Sequence, residues 1–270
     1  MDLKDNLFEI IKVNASQKEQ DWIETKANGS LQSMQTAFVA TPRFISKTPV
    51  NSDITLRGIS FETWTLDRLV RAYFLVCLDN SDIEIYIKTL NTLFETAENN
   101  EAVALISSLA LLENPESWLL RATDAVRTNI GVVFDAIAFD NPYAKTYFSE
   151  LAWNQLVLKC IFNDKPIHKI QGLDERPNKE LAISISNLAH ERWAAGRTIP
   201  PQAWRLVTNF LDEIILEDIK KLFASTNDND QLAAALVCKN SEFPLAKSEL
   251  IKHIELDEKA KNLSWSALEV

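Results

Sequence analysis

Residues 139–207 read FDNPYAKTYFSELAWNQLVLKCIFNDKPIHKIQGLDERPNKELAISISNLAHERWAAGRTIPPQAWRLV. Two of the chain's five glycines, five of its nine prolines, three of its seven tryptophans and two of its three histidines lie here. Such punctuation between apolar segments predicts loops of fixed shape joining helices, and not flexible spacers. The stretch therefore reads as the organising part of an all-α protein with a polar seam.

Two helices frame it. The first is expected over about 149–162. Leu151, Ala152, Trp153, Leu156, Val157, Leu158, Cys160, Ile161 and Phe162 make it apolar nearly all round, the pattern of a buried helix. Gln155 and Lys159, four apart, share one face and need partners if buried. The second is expected from Pro177 or Asn178 to Ala195, with proline suited to the first helical position. Gly196 is placed to close it in the left-handed conformation. Its apolar stripe is Leu181, Ile185 and Leu188, and Arg192 continues that stripe where a core residue is expected. A buried arginine needs a carboxylate. Asp174 or Glu175 in the GLDERPN loop is first in line, with Asp140 second.

Outward from this stretch the chain repeats the same theme. Of its 270 residues 46% are hydrophobic and 24% charged, enough for a sizeable core and ordinary for a globular protein. Glycine is scarce, which disfavours sandwiches, barrels and glycine-rich nucleotide folds. The net charge of −10 argues against a general nucleic-acid binder and against docking on anionic lipid by bulk charge. Cys77, Cys160 and Cys238 lie far apart in apolar runs, as expected of reduced, buried thiols. The start MDLKDNLFEIIKVN does not read as a signal peptide. No run reaches the roughly 18 apolar residues of a membrane span. A cytoplasmic location is the expectation.

Helical periodicity recurs from Leu3 onward, with breaks at Asn28-Gly29, Thr41-Pro42, Asn114-Pro115 and Gly131. Phe61 to Leu78 is a strong helix whose Asp67, Arg68 and Arg71 supply charge. Residues 43–60 are polar and irregular, and no two-residue alternation marks a strand. The segments NEAVALISSLALLENPESWLLRATDAVR and DQLAAALVCKNSEFPLAKSELI resemble helix–turn–helix units of about 25 to 40 residues, the period of α-solenoids. The expected fold is antiparallel helix pairs in a HEAT- or armadillo-like array, a single domain over 1–254 with a polar tail over 255–270. An irregular helical bundle is the competing architecture.

No catalytic motif survives inspection. His190-Glu191 opens like a zinc-protease helix, but the residue four after His190 is Ala194. No Cys-x-x-Cys, phosphate-binding glycine loop or nucleophile elbow is present, so neither metal nor cofactor is expected. What is left is one polar constellation: Asn141, Tyr143, Asn154, Lys159, Asp174, Glu175, Arg176, His190, Glu191, Arg192 and Arg197, with Trp153, Trp193 and Trp204 as walls. His168 and Arg205 belong with it. It serves either as a pocket or partner surface, or as a structural seam pinning loops to the helices.

Three motifs in order, NPYAKTYFSELAWNQLVLKCIF, GLDERPNKELA and AHERWAAGRTIPPQAWRLV, resemble the EboA family over Asn141 to Val207. TAFVATPRF, WTLDRLVRAYFLV and the alanine-rich segment over Leu232 to Leu245 echo it elsewhere. The resemblance implies a place in a bacterial gene cluster associated with moving secondary metabolites out of the cytoplasm. Its implied partners are other proteins of that cluster, a prenyltransferase-like membrane protein among them, and a small-molecule metabolite. It carries over no catalytic residue. The expected role is a non-enzymatic binding or scaffold component acting through an acidic helical surface and the seam. The alternative is an enzyme acting on the exported metabolite or its lipid carrier, with His190, Glu191 and Lys159 as its acid–base candidates.

Overall fold

A computed structural model describes residues 2–269, and they are predominantly helical. They form two compact units, residues 2–148 and 149–269. The first contains α1 (Leu3–Asn14), α2 (Gln17–Ala27), α3 (Leu31–Ala40), α4 (Leu66–Val76), α5 (Ile83–Thr96), α6 (Asn99–Ser107), α7 (Leu119–Arg127), α8 (Gly131–Ala138) and α9 (Pro142–Tyr147). The second contains α10 (Glu150–Phe162), α11 (Lys179–Ala194), α12 (Glu213–Phe223), α13 (Asp228–Asn240), α14 (Pro244–Leu250) and α15 (Ile254–Lys261), with 3-10 segments at Pro201–Phe210 and Trp265–Leu268.

Many helix starts are written in the sequence. Asp2, Ser30, Asp82, Ser149, Asn178, Asp212 and Asn227 each accept a backbone N–H of the first turn through the side chain, and Ser16 with Glu19 closes a capping box. Pro177 stands before the Asn178 cap and not at the first helical position. At the far end of α11, Gly196 has φ +69°, and Arg197 N donates to Arg192 O at 2.8 Å. That is the predicted left-handed closure.

The central helices are not those of the 139–207 stretch. In the first unit α4 is buried on almost every side, from Leu66 to Leu75, and packs against α1, α3 and α6. In the second, α13 buries Ala233 through Cys238 and packs against α12, α14, α15 and Pro201–Phe210. Its three consecutive alanines let neighbours approach closely, so packing density is reached with small side chains. By contrast α10, read as apolar all round, leaves Leu151 and Phe162 exposed.

Two other segments complete the units. The irregular stretch after α3 contains a short antiparallel hairpin, Thr55–Leu56 with Ile59–Ser60. Its turn residues Arg57 and Gly58 both have positive φ, the backbone that a two-residue hairpin turn demands. Such short strands leave no alternation to read. The segment after residue 254 is structured: α15 packs on α13, Lys239 Nζ bonds the Ala260 carbonyl, and Leu268 is buried.

Candidate functional site

The second unit gathers charge where α11 meets α12. On α12 the buried stripe is Ile215, Ile219 and Leu222, and Asp218 falls on it, three residues after Ile215 and four before Leu222. Its side chain is 1% exposed. Ser186 and His190, four apart on α11, share the face opposite. Ser186 Oγ donates to Asp218 Oδ2 at 2.6 Å. A carboxylate only accepts, so His190 donates from Nε2 to Asp218 Oδ1, at 2.5 Å. Lys221 Nζ donates to the same oxygen at 3.3 Å.

Burial changes sharply across this cluster. Ser186 and Asp218 are inside, whereas the side chains of His190 and Lys221 are 46% and 56% exposed. Trp193, one turn beyond His190, joins them. Its ring lies 5.6 Å from that of His190 and 5.9 Å from buried Trp204, nearly parallel to the latter at 15°. Lys221 Nζ sits 4.7 Å from the Trp193 ring centre, in cation–π range. The result is a surface of imidazole and ammonium held from beneath by one carboxylate, with an indole stacked on Trp204 beside them.

Chemically, the carboxylate fixes the imidazole in one tautomer and orientation, as in acid–base sites. The serine does not complete a nucleophilic arrangement. Its hydroxyl proton goes to Asp218, and no bond connects it to His190, which an activated nucleophile requires.

The other predicted site residues are spread out. Asn141 and Tyr143 belong to the first unit. Asn141 caps α9 and donates to the Ala136 and Ile106 carbonyls at 2.8 and 3.2 Å, and buried Tyr143 bonds the Pro115 carbonyl. Burial pushes the Tyr143 hydroxyl far above the usual phenol range. In the second unit Asn154 and Asn178 exchange two amide bonds, 3.1 and 2.8 Å, tying α10 to the start of α11. The Arg176 guanidinium lies 4.9 Å from the ring of buried Trp153, and burial pulls its pKa down. Lys159 is half-buried on α10, while Glu175, Glu191 and Arg197 are exposed.

Arg192 does reach a carboxylate, but a different one. Its guanidinium forms a two-pronged pair with Asp164, 2.8 and 3.0 Å, and Nη1 donates to the Phe162 carbonyl at 2.9 Å. Asp164 has φ +52°, one residue beyond the C-cap of α10. Arg192 thus closes the C-terminus of α10, where cations are favoured. Asp174 pairs with Arg205 instead, a second tie on the 172–178 loop beside the Asn154–Asn178 bonds.

Reasoning from sequence missed Ser186, Asp218, Lys221 and Asp164. Asp218 had a legible signal, a charge inside an apolar stripe, the same signal that drew attention to Arg192. Residues 3–208 match the family described as "Metabolite traffic protein EboA". The chain belongs to the EboA family. No curated protein and no solved structure matches it. The EboA match spans α1 to α11 and most of Pro201–Phe210, so it takes in Ser186, His190, Trp193 and Trp204 and ends before Asp218 and Lys221. No described helix of this EboA protein is long and apolar enough to cross a membrane.

Proposed function

We propose that this protein is a non-enzymatic binding component of a metabolite-trafficking system, and that the His190–Trp193–Lys221 surface is one of its contact faces. The observation that carries the reading is the exposed His190 and Lys221 anchored on a buried carboxylate, with Trp193 stacked beside them on buried Trp204. Side chains already locked by a neighbour lose little rotamer freedom on binding, and pre-ordered aromatic and cationic groups make strong contact centres. The family description supports the trafficking context. The partners that fit are other proteins of the same system, including a membrane-bound one, or the carried metabolite.

The Asp218–His190 bond favours a second reading, an enzyme using His190 as acid or base. His190→Gln separates the two. Glutamine keeps a side-chain N–H for Asp218 and cannot shuttle a proton. In cells lacking the native protein, the binding reading expects this variant to restore metabolite distribution to within about twofold of the unsubstituted chain. An acid–base role expects a loss of roughly 100-fold or more in rate. Trp193→Ala gives the complementary result: impaired trafficking with an unchanged melting curve under the binding reading.

A further inference from the structure

A groove of about 600 Å³ in the first unit has α2, α3 and Phe44 as its walls. That volume falls in the range of small-molecule sites. Positions 21, 22, 25 and 26 make one face of α2, and positions 36, 37 and 40 one face of α3. Small side chains leave the space open: Ala37 and Ala40 reach no further than a methyl group. Two rings line it. Trp22 and Phe44 stack with centroids 4.7 Å and planes 15° apart, and buried Phe74 braces Trp22 edge-on at 5.7 Å. Phe44 is nonetheless 52% exposed. Its backbone is held by the turn after α3, where Phe44 N donates to the Thr41 carbonyl at 3.0 Å. Rings fixed in this way lose little freedom when a ligand covers them, and a planar ring gains an aromatic contact beyond its area.

The polar groups of the groove differ in what they have left to offer. Both threonine hydroxyls donate to their own helices, Thr25 to the Asp21 carbonyl at 2.7 Å and Thr36 to the Gln32 carbonyl at 2.8 Å. Asp21 is exposed, and its carboxylate accepts from Gln17 Nε2 at 2.8 Å. Lys26 is half-buried, and among the described residues its ammonium has neither a hydrogen bond nor a carboxylate partner. It stands four residues after Trp22 on the same face of α2. Long side chains on a helix lean toward the preceding turn, here the turn of Trp22. The unmatched charge of the groove is therefore positive and lies beside its rings.

We propose that this groove binds a small aromatic carboxylate, with its ring against Trp22 and Phe44 and its anionic group at Lys26. The site goes beyond the His190 face proposed above and shares no residue with it.

The test is calorimetric titration of the full chain with 2-naphthoate, against 2-naphthalenemethanol, which lacks the charge, and octanoate, which lacks the ring. Saturable binding of naphthoate is expected, tighter than either by about fivefold, the scale of a partly exposed ion pair or of one aromatic contact. Ala40→Leu fills the groove without removing a contact, and should abolish binding with the melting curve unchanged. Phe44→Ala should weaken naphthoate by about tenfold. Lys26→Gln should bring naphthoate down to the affinity of the alcohol and leave the alcohol unchanged. Should Ala40→Leu fail to fold, Phe44→Ala, at an exposed position, reads the same groove. Absence of saturable binding, naphthoate binding that survives Ala40→Leu, or indifference to Lys26→Gln overturns the proposal. Octanoate binding as tightly as naphthoate also overturns it, and makes an apolar segment of another protein the better occupant. None of these outcomes touches the His190→Gln result, so the two sites fail separately.

Discussion

Two buried charges invite comparison, Arg71 in the first unit and Asp218 in the second. Each lies on the apolar face of a helix, and each side chain is 1% exposed. Arg71 is enclosed with its partners: Asp67 and Glu101 stand 3.6 and 4.0 Å away, both buried, and Nε donates to the Phe38 carbonyl at 3.0 Å. Neither Nη atom has a hydrogen bond. Neighbouring Arg68 lies over Trp64 and bonds Ser107, and burial pulls its pKa to about 10 against the opposing charges of Asp140 and Asp67. Asp218 instead sends its bonds outward, to a histidine and a lysine that water reaches. The difference is between charge compensated wholly inside, which can only hold the fold, and charge that orders a surface.

The sharpest way to break this comparison is Arg71→Leu. It strands two buried carboxylates, and a loss of about 3–5 kcal/mol in urea unfolding is expected. Adding Asp67→Asn and Glu101→Gln should recover much of it, since neutral amides no longer require a cation. A loss under about 1 kcal/mol would mean that the cluster is solvated and not enclosed.

Asp218→Asn is expected to cost less, about 1–3 kcal/mol, because two of its three partners can turn to water. It should also loosen the His190 ring, read as a change in the imidazole proton shifts by NMR. Asp218→Asn that unfolds the chain as severely as Arg71→Leu would place both charges in one structural class.

Asp230 sharpens the contrast within the second unit. It is buried and accepts from Ser225 Oγ at 2.8 Å. Burial raises its pKa, and the serine bond opposes only part of that. A carboxyl whose folded pKa lies above its unfolded value stabilises below the unfolded value of about 3.9, and loses that contribution as pH rises through the folded pKa. Asp230→Asn should therefore raise the melting temperature at pH 7 and leave it unchanged near pH 3. An equal shift at both pH values would contradict this.

Lys221→Gln should have the smallest effect on stability, within about 0.5 kcal/mol, because its ammonium is mostly solvated. Its consequence belongs to binding through the Trp193 face.

Helix class, most helix starts and the left-handed turn at Gly196 were legible because caps, breaks and periodicity act over four or five residues. Arg192 on the stripe of α11 correctly signalled a cation needing a carboxylate. The partner was misassigned because Asp164 becomes available only through the positive φ after α10, in a residue that rarely adopts it. Asp67 and Arg71 were read as plain charge. Position on a helix says which residues share a face, and only the packing of α6 and α3 on α4 decides that this face is inside.

By itself, then, the sequence determined an all-α chain, the ends of its helices and its membership of the EboA family. These rest on local backbone preferences and on motif order, which need no third dimension. Tertiary structure alone decided which helix lies at the centre of each unit, which acid meets Arg192, and that Ser186, His190, Asp218 and Lys221 converge. The Ser186–Asp218, His190–Asp218 and Arg192–Asp164 pairings join residues 28 to 32 positions apart at distances of hydrogen-bond length, and contacts of that reach are set by the packing of helix on helix, where burial and charge compensation choose among many faces of similar polarity.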